Sequence, residues 1–91
     1  MTPTTEDVAR WMLHELLTYG VLPQKAAALA IHDRFGKHFL ADERRGRLAL
    51  AAEVLALFRR LSKGIAVWDR RKRSWRLREP DDRPGQRHAG P

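Results

Sequence analysis

Most of the positive charge in this sequence lies in its C-terminal third, where cations alternate with aromatic and apolar residues. Up to residue 58, seven Lys and Arg are balanced by seven Asp and Glu. From residue 59 onward, 11 Lys and Arg face four Asp and Glu, which accounts for the whole formal charge of +7. Such asymmetry indicates a polyanionic partner, most often nucleic acid and less often an acidic protein or a membrane surface.

Nine of these cations are candidate nucleic-acid-binding residues because they surround a predicted β-hairpin. Ile65 to Trp68 and Trp75 to Leu77 are two apolar runs separated by a polar break, which is the pattern of paired strands. The candidates are Arg59, Arg60, Lys63, Arg70, Arg71, Lys72, Arg73, Arg76 and Arg78. Four of them are consecutive and would form the tip of a basic wing. The alternative is that an Arg-rich composition reflects a GC-rich genome and that the tip is merely solvated, although base composition does not explain where the charge sits.

The register of this hairpin decides which residues face the core. An odd number of loop residues places Val67 opposite Trp75 and Ile65 opposite Leu77, which gives an apolar inner face. An even number pairs Trp68 with Trp75 and sets Val67 beside an arginine. We expect the first register because it segregates polar residues better, and we expect a long tip loop because no Gly or Asn is present to supply a positive φ.

Trp68 is the one aromatic residue that the expected register places outside, together with Arg76 and Arg78. An exposed indole could stack on an unpaired base, could be covered by an arginine, or could form a dimer contact. The other aromatic residues fall at positions of core periodicity, and we expect them to pack. They are Trp11, Tyr19, Phe35, Phe39, Phe58 and Trp75.

Enzymatic and metal-dependent functions find little support in the sequence. The four histidines have no spacing that would place two ligands on one helical face: His14, His32, His38 and His88. Ser62 and Ser74 fall at a helix end and in a strand, where capping or solvation explains them, and no Gly-rich phosphate loop is present. We expect no catalytic residue, no metal site, no cofactor and no small-molecule substrate.

Three helices are predicted before the hairpin. Thr4 and Thr5 precede Glu6 and Asp7, an arrangement that caps a helix N-terminus. This first helix should end at Gly20, with Val8, Trp11, Met12, Leu16 and Tyr19 as its apolar stripe. A second helix should run from Pro23 to Phe35, bury Ala27, Ala30, Ile31 and Phe35, and stop at Gly36. A third, from about Ala51 to Leu61, should bury Val54, Leu55, Phe58 and Leu61.

The segment between the second and third helices reads as a loop. It covers Lys37 to Arg47, with an exposed turn from Asp42 to Gly46 and a short strand near Leu48. Because a helix-turn-helix joins its two helices by three or four residues, the interval from Gly36 to Leu50 departs from that motif. The third helix also offers few side chains suited to reading bases, so phosphate contact is expected rather than sequence reading.

These elements predict one α+β domain over residues 1–79, in which three helices are followed by a C-terminal β-hairpin in a winged-helix-like arrangement. Residues 80–91 are rich in proline, glycine and charge, and we expect a disordered tail. The sequence has no cysteine and no apolar run near the roughly 20 residues of a membrane span. Its polar N-terminus is unlike a signal peptide, so we expect a cytoplasmic protein without membrane contact.

Four sequence blocks together resemble a small bacterial family of unknown function. They are Asp7 to Leu13, Arg34 to Gly36, Val54 to Leu61, and the hairpin that contains Val67-Trp68-Asp69-Arg70 and Trp75-Arg76. The resemblance implies a winged-helix-like α+β fold and a bacterial source, but no activity. The sequence departs from the family where relatives carry an acidic, asparagine-rich loop, because Asp42 to Arg47 contains three arginines, and its wing is more basic.

Two hypotheses for function follow. The first is a module that binds nucleic acid through phosphate contacts of the wing and of the end of the third helix. The second is a protein-interaction or homo-oligomerisation module that uses the first helix or Trp68, with the cations serving solubility. They differ in whether the cations form one contiguous surface.

Overall fold

A computed structural model describes residues 2–41, 49–80 and 88–89 of the chain. The elements are α1 (Thr5–Tyr19), β1 (Val21–Pro23), α2 (Gln24–Phe35), a 3-10 helix (Lys37–Phe39), β2 (Leu40–Ala41), β3 (Ala49–Leu50), α3 (Ala52–Leu61), β4 (Ala66–Asp69), β5 (Ser74–Leu77) and β6 (His88–Ala89). The predicted α+β class, with three helices and a C-terminal hairpin formed by β4 and β5, is confirmed.

The first helix begins and ends where the sequence predicts. Thr4 and Asp7 form a capping box, in which each side chain accepts a hydrogen bond from the other residue's backbone N–H, at 3.1 and 2.9 Å. At the other end, Gly20 has a φ of 80° and its N–H donates to the Leu16 carbonyl at 2.8 Å. This left-handed conformation favours glycine, so the helix stops there.

The predicted stripes of the helices are buried in the core or half-buried against it, with two exceptions. Val8, Met12 and Leu16 of α1 are fully buried and pack with Ile31 of α2 and Phe58 of α3. The packing prediction for Tyr19 is wrong, because it lies in the last turn of α1 and is 70% exposed. In α2, Ala30 was expected to be buried but is half-buried, whereas Ala28 is fully buried.

The sheet contains a strand that sequence reasoning missed. β1 lies between α1 and α2 and pairs antiparallel with β5, which gives a four-stranded sheet in the order β1-β5-β4-β6. β2 and β3 form a separate two-stranded antiparallel pair. Because β1 joins the hairpin to the start of α2, the wing is attached to the helices along one of its sides.

The expected hairpin register is wrong, and the alternative register is the observed one. Val67 lies opposite Arg76, and Trp68 lies opposite Trp75. The loop between β4 and β5 therefore has an even number of residues, 70–73. Two features favour this register: the paired tryptophans have ring centroids 4.7 Å apart, which stabilises a cross-strand pair, and Asp69 closes the loop with its side chain.

The helices are not arranged as a helix-turn-helix. α3 packs mainly on α1, whereas α2 contacts β1, β3 and the 3-10 helix more than it contacts α3. The predicted turn from Asp42 to Gly46 lies outside the described residues, whereas the short strand predicted near Leu48 corresponds to β3, one residue further along the chain. Within the segment for which the sequence predicts disorder, His88–Ala89 form β6, which pairs in parallel with β4. The prediction of a domain limit at residue 79 stays a prediction.

Candidate nucleic-acid interface

Four consecutive cations form the tip of the hairpin: Arg70, Arg71, Lys72 and Arg73. All four are exposed, and among the described residues none of them takes part in an ion pair. We call these four residues the tip group. Within the described part of the chain, an incoming anion would therefore not have to displace a carboxylate that is ion-paired with the tip group.

The carboxylate of Asp69, at the start of the tip loop, accepts hydrogen bonds from the loop itself. The Asp69 Oδ1 atom accepts hydrogen bonds from the backbone N–H groups of Arg71 and Lys72, at 3.1 and 3.2 Å. An aspartate at the start of a turn commonly accepts from the backbone in this way. Arg73 then adopts a φ of 50°, a left-handed conformation that is uncommon for a residue with a Cβ atom. The loop is therefore shaped by Asp69 and Arg73, without the Gly or Asn whose absence indicated a long loop.

The structure brings a further cation to the tip that sequence reasoning missed. The backbone N–H of Gln24, the first residue of α2, donates to the Arg73 carbonyl at 3.0 Å. The next residue, Lys25, is exposed and follows this contact directly. The first turn of α2 contains no acidic residue. The positive N-terminal end of this helix therefore adds to the positive electrostatic potential at the tip. Lys25 lies near the tip because β1 pairs with β5. The sequence pattern did not reveal β1, so this proximity was not predicted.

The remaining exposed candidates lie at the opposite end of the hairpin. Arg59, Arg60 and Lys63, which we call the base group, follow one another at the end of α3 and in the turn before β4. From Ile65 to Asp69 the chain rises about 13 Å, at about 3.3 Å per residue. This exceeds the Debye length of about 8 Å at physiological salt, so the two groups act as separate charges. Arg59 and Arg60 also have a structural role, because cations favour a helix C-terminus.

Arg76 and Arg78 differ from the tip group in being half-buried and engaged. The Nη1 atom of Arg76 donates to the Leu77 carbonyl at 3.0 Å, and both arginines take part in further interactions. Arg76 lies opposite Val67, on the face of the sheet away from Trp75. Arg76 and Arg78 therefore add charge to the hairpin between the tip group and the base group, but this charge is partly covered.

The predicted outward orientation of Trp68 is wrong. Trp68 shares a face with Trp75, is half-buried and packs against the core. Trp75 in turn is 8% exposed and meets the Phe58 ring edge-on, with centroids 5.1 Å apart. The structure thus explains Trp68 by packing, while its role in base stacking or self-association stays a prediction.

The serines have the structural explanation that the sequence indicated. The Ser62 hydroxyl donates to the Phe58 carbonyl at 2.6 Å, and the Ser74 hydroxyl donates to the Lys72 carbonyl at 3.0 Å. Among the described residues, no three His, Cys, Asp or Glu side chains gather as metal ligands. No helix in this part of the chain is long and apolar enough to cross a bilayer.

Comparison with known proteins places the chain in one family. A family model described as "Family of unknown function (DUF6953)" matches residues 4–77, and the chain belongs to this family. The match covers the three helices and the hairpin, and it confirms the resemblance to a family of unknown function. The bacterial source stays a prediction. No curated protein and no solved structure matches the chain.

Proposed function

We propose that this member of a family of unknown function is a winged-helix-like module that binds nucleic acid weakly, through phosphate contacts of its wing. The observation that carries the proposal is the tip group, four adjacent exposed cations that form no ion pair with any residue the structure describes. Because four positive charges lie close together, the electrostatic potential around the tip is strongly positive, and bound phosphate groups would lower it. On this proposal the protein is not an enzyme and needs no cofactor.

The expected mode of binding is tolerant of sequence. Arginine and lysine on a loop contact phosphates and fix position, whereas reading of base edges needs a rigid element in a groove. α3 offers Glu53, Ala56, Arg59 and Arg60 as exposed residues, and it does not form a helix-turn-helix with α2. Affinity should therefore depend strongly on salt and little on base sequence.

The test compares two variants that carry the same net charge. The tip variant replaces Arg70, Arg71 and Lys72 with Gln, and the base variant replaces Arg59, Arg60 and Lys63 with Gln. Each lowers the formal charge from +7 to about +4, because three cations are removed. Binding to generic duplex and single-stranded DNA is titrated at several salt concentrations, and the solution mass and the denaturant melt are recorded for each sample.

If about four phosphates are neutralised on duplex DNA, the logarithm of the binding constant falls with the logarithm of salt at a slope near −3.6. The tip variant should flatten the slope to about −0.9 with little change in the melt, and the base variant should leave it nearly unchanged. Equal losses in both variants would show that only overall charge matters. No binding at about 50 mM salt, where non-specific binders are detected, would refute the proposal and leave the protein-interaction hypothesis.

A further inference from the structure

The four cations of the tip group differ in their backbone conformation. Among the described residues, Arg73 is the one non-glycine residue with a positive φ, at 50°. A residue with a Cβ atom rarely adopts this left-handed conformation, because the Cβ atom then lies too close to a backbone carbonyl oxygen. Glycine takes such positions without strain. Strained residues persist where the surrounding structure imposes their conformation, and they are concentrated at binding sites.

The backbone of Arg73 is fixed from outside the hairpin. Its carbonyl accepts the hydrogen bond from the Gln24 N–H, at 3.0 Å, and is thereby tied to the start of α2. The next residue, Ser74, is buried and pairs with Pro23 of β1 on one side and with Asp69 of β4 on the other. Arg73 therefore lies where the tip loop enters a strand that has a neighbour on both sides.

The other three tip cations are held by bonds within the hairpin, among the residues that the structure describes. The N–H groups of Arg71 and Lys72 donate to Asp69, and the Lys72 carbonyl accepts from the Ser74 hydroxyl. Each of these bonds joins residues two or three positions apart. They shape the loop but do not connect it to a helix, so Arg73 has the most firmly placed backbone of the four.

We propose, on the premise that the tip binds nucleic acid as stated above, that Arg73 makes a fixed bidentate contact with two oxygens of a backbone phosphodiester. A planar guanidinium presents paired donors that match phosphate oxygens, and a contact costs less ordering when its backbone is already fixed. The Arg73 side chain is exposed and forms no ion pair with a described residue. Glycine would fit the loop with less strain, but it has no side chain to make this contact.

The remaining tip cations have a different role on this proposal. Arg70, Arg71 and Lys72 attract the polyanion through their charge, without a defined geometry. Replacing one of these arginines with lysine should therefore matter little. The same replacement at position 73 should matter more, because lysine keeps the charge but has no paired donors.

The test compares Arg73→Lys with Arg71→Lys, its matched control at a position held only by bonds within the hairpin. Both variants keep the formal charge of +7. Affinity for generic duplex DNA is titrated at several salt concentrations, with the wild-type chain alongside. A third variant, Arg73→Gly, relieves the strain of the positive φ, and the Tm of every variant is measured.

Arg73→Lys should weaken binding about fivefold, whereas Arg71→Lys should stay within about twofold of the wild-type chain. The salt slope should be the same in both, because the number of neutralised phosphates does not change. Arg73→Gly should weaken binding at least as much as Arg73→Lys and should raise Tm by about 2 to 4 °C, since the strain is lost.

Three results would overturn the fixed contact. Equal effects of the two lysine substitutions would remove it and leave the proposed function standing. A lower Tm in Arg73→Gly would show that the Arg73 side chain stabilises the fold, which would explain the strained residue without a ligand. Absence of binding by the wild-type chain would refute the proposed function and the fixed contact together.

Discussion

At the scale of single residues, the hairpin is held to the helices by one side chain above all. The Trp75 ring contacts both the Phe58 ring and the Trp68 ring, with centroid distances of 5.1 and 4.7 Å. Leu22 of β1 lies opposite Trp75 and is 5% exposed. Because Trp75 contacts a helix residue and lies between residues of both neighbouring strands, its loss should loosen the wing and the core together.

Trp75→Ala should lower the free energy of unfolding by about 3 to 5 kcal/mol, because a nearly buried indole is replaced by a cavity. This is a large share of the stability of a small domain. Trp68→Ala is the matched control, since the same truncation at a half-buried position should cost less. Denaturant melts of both variants measure the difference. A loss below about 1 kcal/mol for Trp75→Ala would contradict its role as the anchor.

At the scale of elements, the hairpin shows where sequence reasoning succeeds and where it fails. The helices were predictable to within a residue or two because caps such as Thr4 and Gly20 act locally and the apolar spacing is regular. The register was not predictable, because it depends on a side-chain contact across strands and on Asp69 accepting from the loop backbone. β1 was not predictable either, because its three residues are too few to show a strand pattern and form a strand only by pairing with β5.

Asp69 should therefore determine the shape of the tip through its acceptor oxygen and not through its charge. Asp69→Asn keeps an Oδ1 atom and should change the free energy of unfolding by less than about 0.5 kcal/mol. Asp69→Ala leaves two backbone donors without this acceptor and should cost about 1 kcal/mol. Amide exchange of Arg71 and Lys72 should accelerate in Asp69→Ala alone. Equal acceleration in both variants would mean that the carboxylate charge holds the loop.

At the scale of the whole molecule, the exposed candidate cations among the described residues lie in two groups, so the contiguity that would favour the nucleic-acid hypothesis holds within the tip group and not across the whole hairpin. The tip group could be identified from the sequence, because four consecutive cations between two apolar runs must lie on a connection. Its separation from the base group follows from the length of β4, and its proximity to Lys25 follows from β1. The tip group is local in the sequence and could be predicted from it. The position of Lys25 beside the tip depends on the pairing of β1 with β5 and could not be predicted.

The proximity of Lys25 to the tip group predicts an electrostatic coupling between residues far apart in sequence. Lys25→Glu should raise the free energy of unfolding by up to about 1 kcal/mol at low salt, since its backbone position is next to the tip loop, where a carboxylate is attracted by the tip cations, and lies in the first turn of α2. The same substitution in the tip variant retains the contributions of the helix and of Arg73 and loses that of the three replaced cations. A double-mutant cycle isolates the coupling, which we expect to be about 0.5 kcal/mol and to vanish at about 1 M salt, where the Debye length is about 3 Å. An equal gain in both backgrounds would show that Lys25 and the tip do not interact, and that the charge of the wing is confined to its own loop.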